Sequence, residues 1–547
     1  MSPESPHTVP PSEPDRLRGS TVRDAFRAVV EAHGRRPFLA FGDAVLTYAQ
    51  TAKRARALAA GLHDLGVDPG DRLAVALPNW PEFVISALAA AELGAVVVPL
   101  DPGLTANELQ FTLRNSEATA VVTPERHGGV DHLERAESFL QNLPALQYVV
   151  TVGEEELWYD DRIFQFEDLV SSGERKELPS AAAEAEDVWA ILYTSGTTGK
   201  PKGVMLTHAN VLGTAVATAA ALRVTPEDVV LCTVPLFHIF GLGPVFLMAM
   251  VAGARIVLQE AFDAGEALAL AETHGVTVMH GTPTMFEMEL RHPERPGRRL
   301  ERLRTGIVAA APVSPELIRR VRAELVPDAE IAYGLTETSP TVTITGPADL
   351  PEPREGTVGR ALPGVEVVVL GDDGERVPAG TVGEVAIRGY NVMKGYHRQP
   401  EETARAFTPD GFFRTGDLGA LDAEGFLRIA GRRKELILRG GFNVHPREVE
   451  DVLQSHPAVQ HAAVVGVPHE VWGEQVCACL VLEEGAIVTA EEIRQFCRRG
   501  LAESKIPDLV RFFEALPRTG SGKIRRAELV RVIAEEESAR RAGESAG

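Results

Sequence analysis

Short, fully apolar segments alternate along much of the chain with segments whose apolar residues recur every three or four positions. The first pattern is typical of strands buried on both faces of a sheet, and the second of helices packed against it. The alternation therefore predicts a mainly parallel α/β sheet covered by helices on both sides. Strands are predicted at residues 73–77, 95–99, 120–123, 148–152, 188–193, 229–233, 255–258, 277–280 and 331–333.

Several helix boundaries carry capping signals. Thr47 followed by Gln50 predicts a capping box, and Gly66 predicts the end of the same helix. Ser314 and Asn79 are also candidates for helix starts, because short polar side chains can accept a hydrogen bond from the first helical amides. Thr207 predicts a further helix, which runs to about Leu222.

The pattern changes twice in the second half of the chain. From Val358 to Tyr390 it becomes β-rich, and around Gly431 it changes again to a small α+β arrangement whose first helix begins at Pro446. The fold class predicted is α/β, with a large N-terminal domain of layered α/β subdomains and a distorted β subdomain, plus a small α+β C-terminal domain. The predicted boundaries are a disordered tail at 1–19, the N-terminal domain at 20–431, a short link at 432–434 and the C-terminal domain at 435–547.

Composition narrows the classes of partner. The 547 residues carry a net charge of 55 − 77 = −22. Such acidity argues against nucleic acid or an anionic membrane as the main partner, and it requires locally concentrated positive charge wherever an anionic ligand binds. Peripheral membrane contact and a homodimer remain open.

Two further features bear on location. The four cysteines are too few and too scattered for a disulfide framework, and the Cys477–Cys479 pair has no second pair to complete a zinc site, so a reducing cytoplasm is expected. The stretch 231–254 carries no charged residue, but Pro235 and Gly241 are among the residues that interrupt it. It predicts a strand end, a loop and a core helix instead of a membrane-spanning helix.

The stretch with the clearest chemistry is the loop 194–203, which follows the predicted strand 188–193. It combines three glycines, four Ser/Thr hydroxyls and two lysines. Glycines let backbone amides approach a ligand closely, and hydroxyls and lysines add donors and positive charge, so the loop is equipped to hold a polyphosphate. It lacks the Gly-x-x-x-x-Gly-Lys-Ser/Thr spacing of the common P-loop. A surface turn rich in small residues is the alternative.

This loop closely resembles the phosphate-loop signature of the adenylate-forming superfamily, which comprises acyl-CoA synthetases, luciferases and the adenylation domains of peptide synthetases. Other strings resemble the remaining signatures of that superfamily, in the same order, over nearly the whole chain: Ala309–Pro312, Tyr333–Thr338, Phe413–Asp417, Gly431–Glu435, Arg439–Asn443 and Thr519–Ile524. Within that superfamily, the chain most closely resembles bacterial long-chain fatty-acid–CoA ligases.

The resemblance implies a role for each matching residue. Nucleotide-binding residues would be Thr194, Ser195, Gly196, Thr197, Thr198, Gly199, Lys202, Ala310, Ala311, Tyr333, Asp417 and Arg432. Catalytic residues would be Lys523, Thr336, Glu337, His238 and Arg432, with Thr194 and Glu337 holding Mg²⁺. Residues 432–434 would form the hinge of a mobile C-terminal domain, with Lys434 as its pivot. Gly440, Gly441 and Phe442 would bind CoA.

Each of these residues also has an ordinary structural interpretation. Asp417 could be a turn aspartate, Lys523 a surface charge and His238 a core histidine with a satisfied hydrogen bond. By the resemblance, the acyl pocket would be formed by His238, Phe240, Gly334 and Val342. The segment Phe237–Phe240 offers no carboxylate to an ammonium group, so amino acids are not expected as substrates, and glycine at 334 leaves room for a longer or aromatic acid.

The resemblance thus implies an AMP-forming acyl-CoA synthetase that uses ATP, Mg²⁺ and CoA with a medium- or long-chain fatty acid. Three alternatives stay open: an acyl-AMP ligase that loads a carrier protein, a ligase for aryl acids, and a non-catalytic acyl- or nucleotide-binding relative.

Overall fold

A computed structural model describes residues 17, 19–153, 161–178, 183–194, 201–439, 442–469, 472–518 and 524–545, without the side chains of 442, 443 and 538–545. Most of the tail predicted at 1–19 lies outside these residues. The chain forms two compact units. The first comprises Met1–Glu355, Gly359–Glu366 and Arg388–Gly411, and the second comprises Gly356–Val358, Val367–Ile387 and Phe412–Gly547. The predicted boundaries at 431 and 435 stay a prediction.

The first unit contains two large sheets. Within the described residues, one sheet has nine strands whose central members run parallel, as the apolar segments predict. In spatial order its strands are Arg360–Ala361, Thr343–Ile344, Asp328–Tyr333, Thr305–Val308, Val278–Met279, Val229–Cys232, Arg255–Leu258, Pro37–Phe41 and Ala44–Thr47.

The second sheet of this unit has eight strands in the part of the chain that the structure describes. Its inner strands are parallel, and two antiparallel strands close one edge. In spatial order they are Gly395–Tyr396, Lys202–Thr207, Val188–Thr194, Val96–Pro99, Arg72–Val75, Ala118–Pro124, Tyr148–Val152 and Ile163–Gln165. A separate small hairpin pairs Arg126–His127 with Val130–Asp131.

Most of the predicted helix starts are confirmed. Thr47 and Gln50 form the capping box, and Gly66 ends that helix with a φ of 106°. Ser314 caps its helix too, but the prediction at Asn79 is wrong, because the helix begins at Pro81. The helices up to residue 405 are Val22–His33, Tyr48–Leu65, Pro81–Leu93, Ala106–Ser116, His132–Leu140, Phe166–Gly173, His208–Ala221, Met248–Ala252, Ala264–His274, Pro283–Arg291, Pro315–Glu324, Pro351–Gly356 and Pro400–Arg405.

Asn79 has a different role. Its buried side-chain amide donates to the carbonyls of Val234 and Gln259 at 3.2 and 3.0 Å, and its oxygen accepts from the amide of Leu236 at 2.8 Å. The side chain therefore satisfies loop backbone that no strand pairs, and this loop leads to the candidate site.

The uncharged stretch 231–254 forms a strand end, a loop and a buried helix, as predicted. The helix has a π-helical segment, Gly241–Leu247, which the sequence did not predict, before the short α-helix Met248–Ala252. Among the residues that the structure describes, no helix is long and apolar enough to cross a membrane.

The second unit is α+β, in agreement with the change of pattern in the sequence. One of its sheets contains Val365–Leu370, Gly383–Gly389, Phe413–Leu421 and Leu427–Arg432. The other contains Phe442–Val444, Ile437–Arg439, Gly473–Leu482, Val459–His469 and Leu509–Phe512. Its helices are Pro446–Gln454, which begins at the predicted residue, Ala490–Cys497 and Arg526–Ser545.

Candidate active site

The carboxyl edge of the nine-stranded sheet brings several predicted residues together. Four neighbouring parallel strands end there, and in an open α/β sheet this edge is where ligands bind. The chain leaves these strands at Cys232, Met279, Val308 and Tyr333. The residues that follow directly are the segment of His238, then His280, then Ala310 and Ala311, and then Gly334, Thr336 and Glu337.

The residues Ser195–Gly199 lie outside the described part of the chain, but both flanks of the loop are described. Thr194 ends one strand and lies opposite Lys202, the first residue of an antiparallel strand. The sequence did not predict this second strand, because its six residues come between a glycine-rich loop and a strong helix start. Thr207 does cap the next helix, as expected, and the loop therefore connects two paired strands.

Lys202 is held in a fixed position. Its ammonium lies 2.5 Å from the carboxylate of Glu402 and 4.9 Å from the centre of the Tyr396 ring, and its side chain is 14% exposed. The hydrogen bond from Lys202 lowers the pKa of the Glu402 carboxyl group. The lysine thus places positive charge next to the end of the strand that carries Thr194.

Glu337 lies half-buried in the helical turn Thr336–Thr338. The hydroxyl of Tyr396 donates to its carboxylate at 3.1 Å, and the amide of Met393 donates to its backbone carbonyl at 2.9 Å. Burial, together with the nearby charge of Glu337, raises the pKa of Tyr396, so this hydroxyl keeps its proton and remains a donor. Sequence reasoning missed Tyr396, because it belongs to a strand of only two residues.

His238 begins the segment expected to line the acyl pocket. Its Nδ1 accepts from the amide of Phe240 at 3.2 Å, so the neutral ring carries its proton on Nε2. The π-helical segment starts three residues later, and such segments are frequent at functional sites. A Cβ at Gly243 would lie 2.7 Å from the Pro340 ring, so glycine permits this segment to approach the residues that follow Glu337.

His280 is a second histidine at this edge that the sequence did not single out. Its Nδ1 accepts from the amide of Ile307 at 3.0 Å, and its ring packs edge-on against Phe240. Burial lowers its pKa to about 3, so the ring is neutral and its proton lies on Nε2. Among the described residues, this buried N–H has no hydrogen-bond partner.

Two residues expected in the acyl pocket lie on either side of one tight turn. The side chain of Val342 is fully buried, and its amide donates to the carbonyl of Tyr333 at 2.8 Å. A Cβ at Gly334 would lie only 1.4 Å from the carbonyl oxygen of Pro340. Glycine is therefore required by the neighbouring backbone, a reason that the sequence did not reveal.

In the second unit, Asp417 and Arg432 lie opposite each other on adjacent strands and form an ion pair at 3.0 Å. The aspartate is buried, whereas the guanidinium group is 43% exposed. The buried carboxylate of Glu384 contacts both Arg414 and Arg433, at 2.5 and 3.2 Å. These contacts fix the backbone on both sides of the two residues that the resemblance assigns to the nucleotide.

The remaining predicted residues fall near or outside the limits of the described chain. Lys434 is exposed in the helical turn Arg433–Glu435, which connects two sheets of the second unit. Phe442 begins the strand Phe442–Val444, while Gly440, Gly441 and Lys523 lie outside the described residues.

Two models of known protein families match this chain. The AMP-binding enzyme family matches residues 26–397, and the AMP-binding enzyme C-terminal domain matches residues 448–523. The chain belongs to the AMP-binding enzyme family. This confirms the resemblance read from the signatures, and the mixed α/β fold with a large N-terminal and a smaller C-terminal domain.

Similar members of this AMP-binding family include ligases that form CoA thioesters. The 3-[(3aS,4S,7aS)-7a-methyl-1,5-dioxo-octahydro-1H-inden-4-yl]propanoyl:CoA ligase of Rhodococcus jostii is 37% identical, over 92% of this chain and 97% of its own length. The mitochondrial medium-chain acyl-CoA ligase ACSF2 of Mus musculus is 33% identical, over 88% of this chain and 82% of its own.

A solved structure of the family is also similar to this chain. ATP-bound MatB from Rhodopseudomonas palustris is 30% identical, with a TM-score of 0.85 over 94% of this chain and 99% of the MatB chain. This AMP-binding enzyme is accordingly an AMP-forming acid–thiol ligase whose substrates are ATP, CoA and a carboxylic acid.

Proposed function

We propose that this ligase converts a medium- or long-chain fatty acid into its CoA thioester through an acyl-AMP intermediate. The observation that carries the proposal is the meeting of His238, the Ala310–Ala311 segment and Glu337 at one carboxyl edge of the sheet. These residues offer, in order, an acyl-pocket wall, a surface of small residues for adenine and a carboxylate for a metal ion.

The first half-reaction joins the acid to AMP. The substrate carboxylate attacks the α-phosphorus of ATP, the bond to the β-phosphate oxygen breaks, and pyrophosphate leaves. Thr336 would contact the α-phosphate, Asp417 would accept hydrogen bonds from the ribose hydroxyls, and Tyr333 would contact the nucleotide. Lys202, Arg432 and Lys523 would offset the negative charge, which is the main obstacle when two anions approach each other.

Thr194 and Glu337 fit Mg²⁺. A hydroxyl and a carboxylate are oxygen ligands of the kind that this ion prefers, together with substrate phosphates. When bound, the ion neutralises phosphate charge. The chain's part is to hold these two oxygen groups, one at the end of a strand and the other in a hydrogen-bonded turn.

The second half-reaction transfers the acyl group to CoA. The CoA thiol attacks the acyl carbonyl carbon, and the bond to the AMP oxygen breaks, so AMP leaves. In this proposal the segment from Arg432 to Lys434 is the hinge, Lys523 withdraws after the first step, and Gly440, Gly441 and Phe442 receive the pantetheine arm.

An apolar acyl group is supported by the residues around His238. Phe240 and Val342 are both apolar and buried. Each methylene removed from water contributes about 0.8 kcal/mol, so the preference for chain length should be graded. The similarity to a medium-chain acyl-CoA ligase points to the same class of acid.

A panel of acids tests the proposal. Pyrophosphate release would be measured with octanoate, laurate, palmitate, benzoate and ferulate, and the products would be identified by mass spectrometry with CoA present. Fatty acids should give the highest rates, with the acyl-CoA as product. Acyl-AMP without acyl-CoA would point to the carrier-protein ligase instead, and no pyrophosphate release with any acid would point to a non-catalytic relative.

A second candidate is an acid with an oxygen function on a ring system, and His280 favours it. The buried Nε2–H of this histidine has no hydrogen-bond partner among the described residues, and the histidine ring packs against Phe240. If the Phe240 ring moves, a keto or hydroxyl oxygen on the ring system of the acid could accept from this N–H. The similar enzyme from Rhodococcus jostii is named for a dioxo acid. Faster pyrophosphate release with keto-substituted polycyclic acids or ferulate than with palmitate would favour this candidate.

A further inference from the structure

Tyr396 contacts two parts of the proposed ATP site, namely the strand that follows the phosphate loop and the Glu337 carboxylate. It lies on the edge strand of the eight-stranded sheet, and its backbone pairs with Val204 on the strand that follows the phosphate loop. Its hydroxyl donates to Glu337, which follows a strand of the nine-stranded sheet. One residue therefore connects the two sheets, since its backbone pairs with the strand after the phosphate loop and its hydroxyl binds the Glu337 carboxylate.

Tyr396 contacts two side chains of opposite charge, Glu337 with its hydroxyl and Lys202 with its ring. The Glu337 carboxylate accepts from the hydroxyl at 3.1 Å, while the Lys202 ammonium lies 4.9 Å from the centre of the ring. A cation near an aromatic face is attracted by the electron density of the ring, and a phenol hydroxyl is a good donor to a carboxylate. The ring and the hydroxyl thus each hold one charged group.

The tyrosine itself is firmly anchored. Its amide donates to the hydroxyl of Thr403 at 2.9 Å, and Glu402, the neighbour of Thr403, holds Lys202. Close by, Asn391 donates to the carbonyl of Thr338, and Met393 donates to that of Glu337. The segment 391–396 therefore fixes both the backbone and the side chain of Glu337.

We propose that Tyr396 is a positioning residue that orients the Glu337 carboxylate toward the metal bound with ATP and, through its ring, holds Lys202 beside the phosphate loop. The inference rests on the proposed ATP chemistry. A carboxylate that can rotate freely loses conformational entropy when it binds a cation. A hydrogen bond that already fixes the carboxylate reduces this loss. Losing such an outer partner typically weakens metal affinity by about 10-fold or more.

The test compares two tyrosines. Tyr396→Phe keeps the ring and removes only the hydroxyl. Tyr193→Phe is the matched control, because Tyr193 lies in the same sheet and its half-buried hydroxyl donates at 2.7 Å to Asn115, in the helix Ala106–Ser116. Calorimetry measures ATP binding with and without Mg²⁺, and pyrophosphate release is followed as the Mg²⁺ concentration is varied.

Tyr396→Phe should weaken Mg·ATP binding about 10-fold and raise the half-maximal Mg²⁺ concentration by the same factor, while ATP binding without Mg²⁺ stays unchanged. Tyr193→Phe should change neither. A Tyr396→Leu variant, which also lacks the ring, should weaken ATP binding without Mg²⁺ as well, because Lys202 loses one of its two supports.

An unchanged Mg²⁺ dependence in Tyr396→Phe, or an equal shift in Tyr193→Phe, would overturn the positioning role. The calorimetric result does not depend on the acid. If the shift in binding appears but no acid supports pyrophosphate release in the unaltered protein, the positioning role stands and the proposed ligase chemistry fails.

Discussion

Asp417, the residue proposed to bind ribose, is held in place by its neighbours. Its buried carboxylate accepts from Arg432, and its own amide donates to the hydroxyl of Thr415 at 3.0 Å. A buried carboxylate that accepts from a guanidinium group is held in a fixed orientation. The arrangement suits a group that would accept hydrogen bonds from two ribose hydroxyls.

Replacing Asp417 by Asn should therefore raise the KM for ATP by about 10-fold, because one charged acceptor is lost and Arg432 loses its partner. The kcat should change less. Asp422→Asn is the control, since Asp422 accepts only from amides of its own turn among the described contacts. Steady-state kinetics with varied ATP would check this, and an unchanged KM in Asp417→Asn would exclude the ribose assignment.

The element that links the strand Asp328–Tyr333 to the turn Thr336–Thr338 depends on one close backbone approach. At Gly334 any side chain would collide with the carbonyl of Pro340, and the displaced backbone would carry Thr336 and Glu337 with it. Misplacing a catalytic group by about 1 Å can cost on the order of 100-fold in rate.

Gly334→Ala should accordingly slow pyrophosphate release by about 10- to 100-fold and lower the melting temperature. Gly297→Ala is the matched change, because Gly297 ends the short helical turn Arg295–Gly297 and nothing lies within 4 Å of its added Cβ. Rates and melting curves of the two variants would be compared. Equal, small effects in both would show that the Gly334 turn tolerates a side chain.

The sequence predicted the elements whose signals are local, and it missed those that depend on distant partners. The parallel strands and the caps at Thr47 and Ser314 follow from patterns a few residues long. The strand Lys202–Thr207 was missed because it comes between a glycine-rich loop and a strong helix start. Tyr396 was missed because its strand of two residues pairs with a distant segment. His280 was missed for the same reason, since its Nδ1 is bonded to the amide of Ile307 on a neighbouring strand.

For the whole molecule, buried neutral histidines make stability depend on pH. Burial lowers the pKa of His208 to about 4 and that of His280 to about 3. Below about pH 6.5 the unfolded chain binds protons that the folded chain does not, so the free energy of unfolding falls as the pH is lowered. Between pH 7 and pH 5, each histidine should cost on the order of 2 kcal/mol.

His208→Asn should reduce this loss. The amide oxygen of asparagine can still accept from the amide of Val22, which His208 binds at 3.0 Å, but it does not titrate. Urea midpoints at pH 7 and pH 5 would be compared for the two proteins. An identical loss on acidification would show that His208 does not contribute.

The central claim is that this chain catalyses both half-reactions and that Lys523 acts only in the first, the formation of acyl-AMP. The most direct measurement compares Lys523→Ala with Lys505→Ala, whose lysine pairs with Glu448, in the two half-reactions. Lys523→Ala should slow pyrophosphate release with acid and ATP by ~100-fold or more, yet leave thioester formation from supplied acyl-AMP largely intact. Lys505→Ala should alter neither step. Equal losses in both steps for Lys523→Ala, or no loss in the first, would contradict the account.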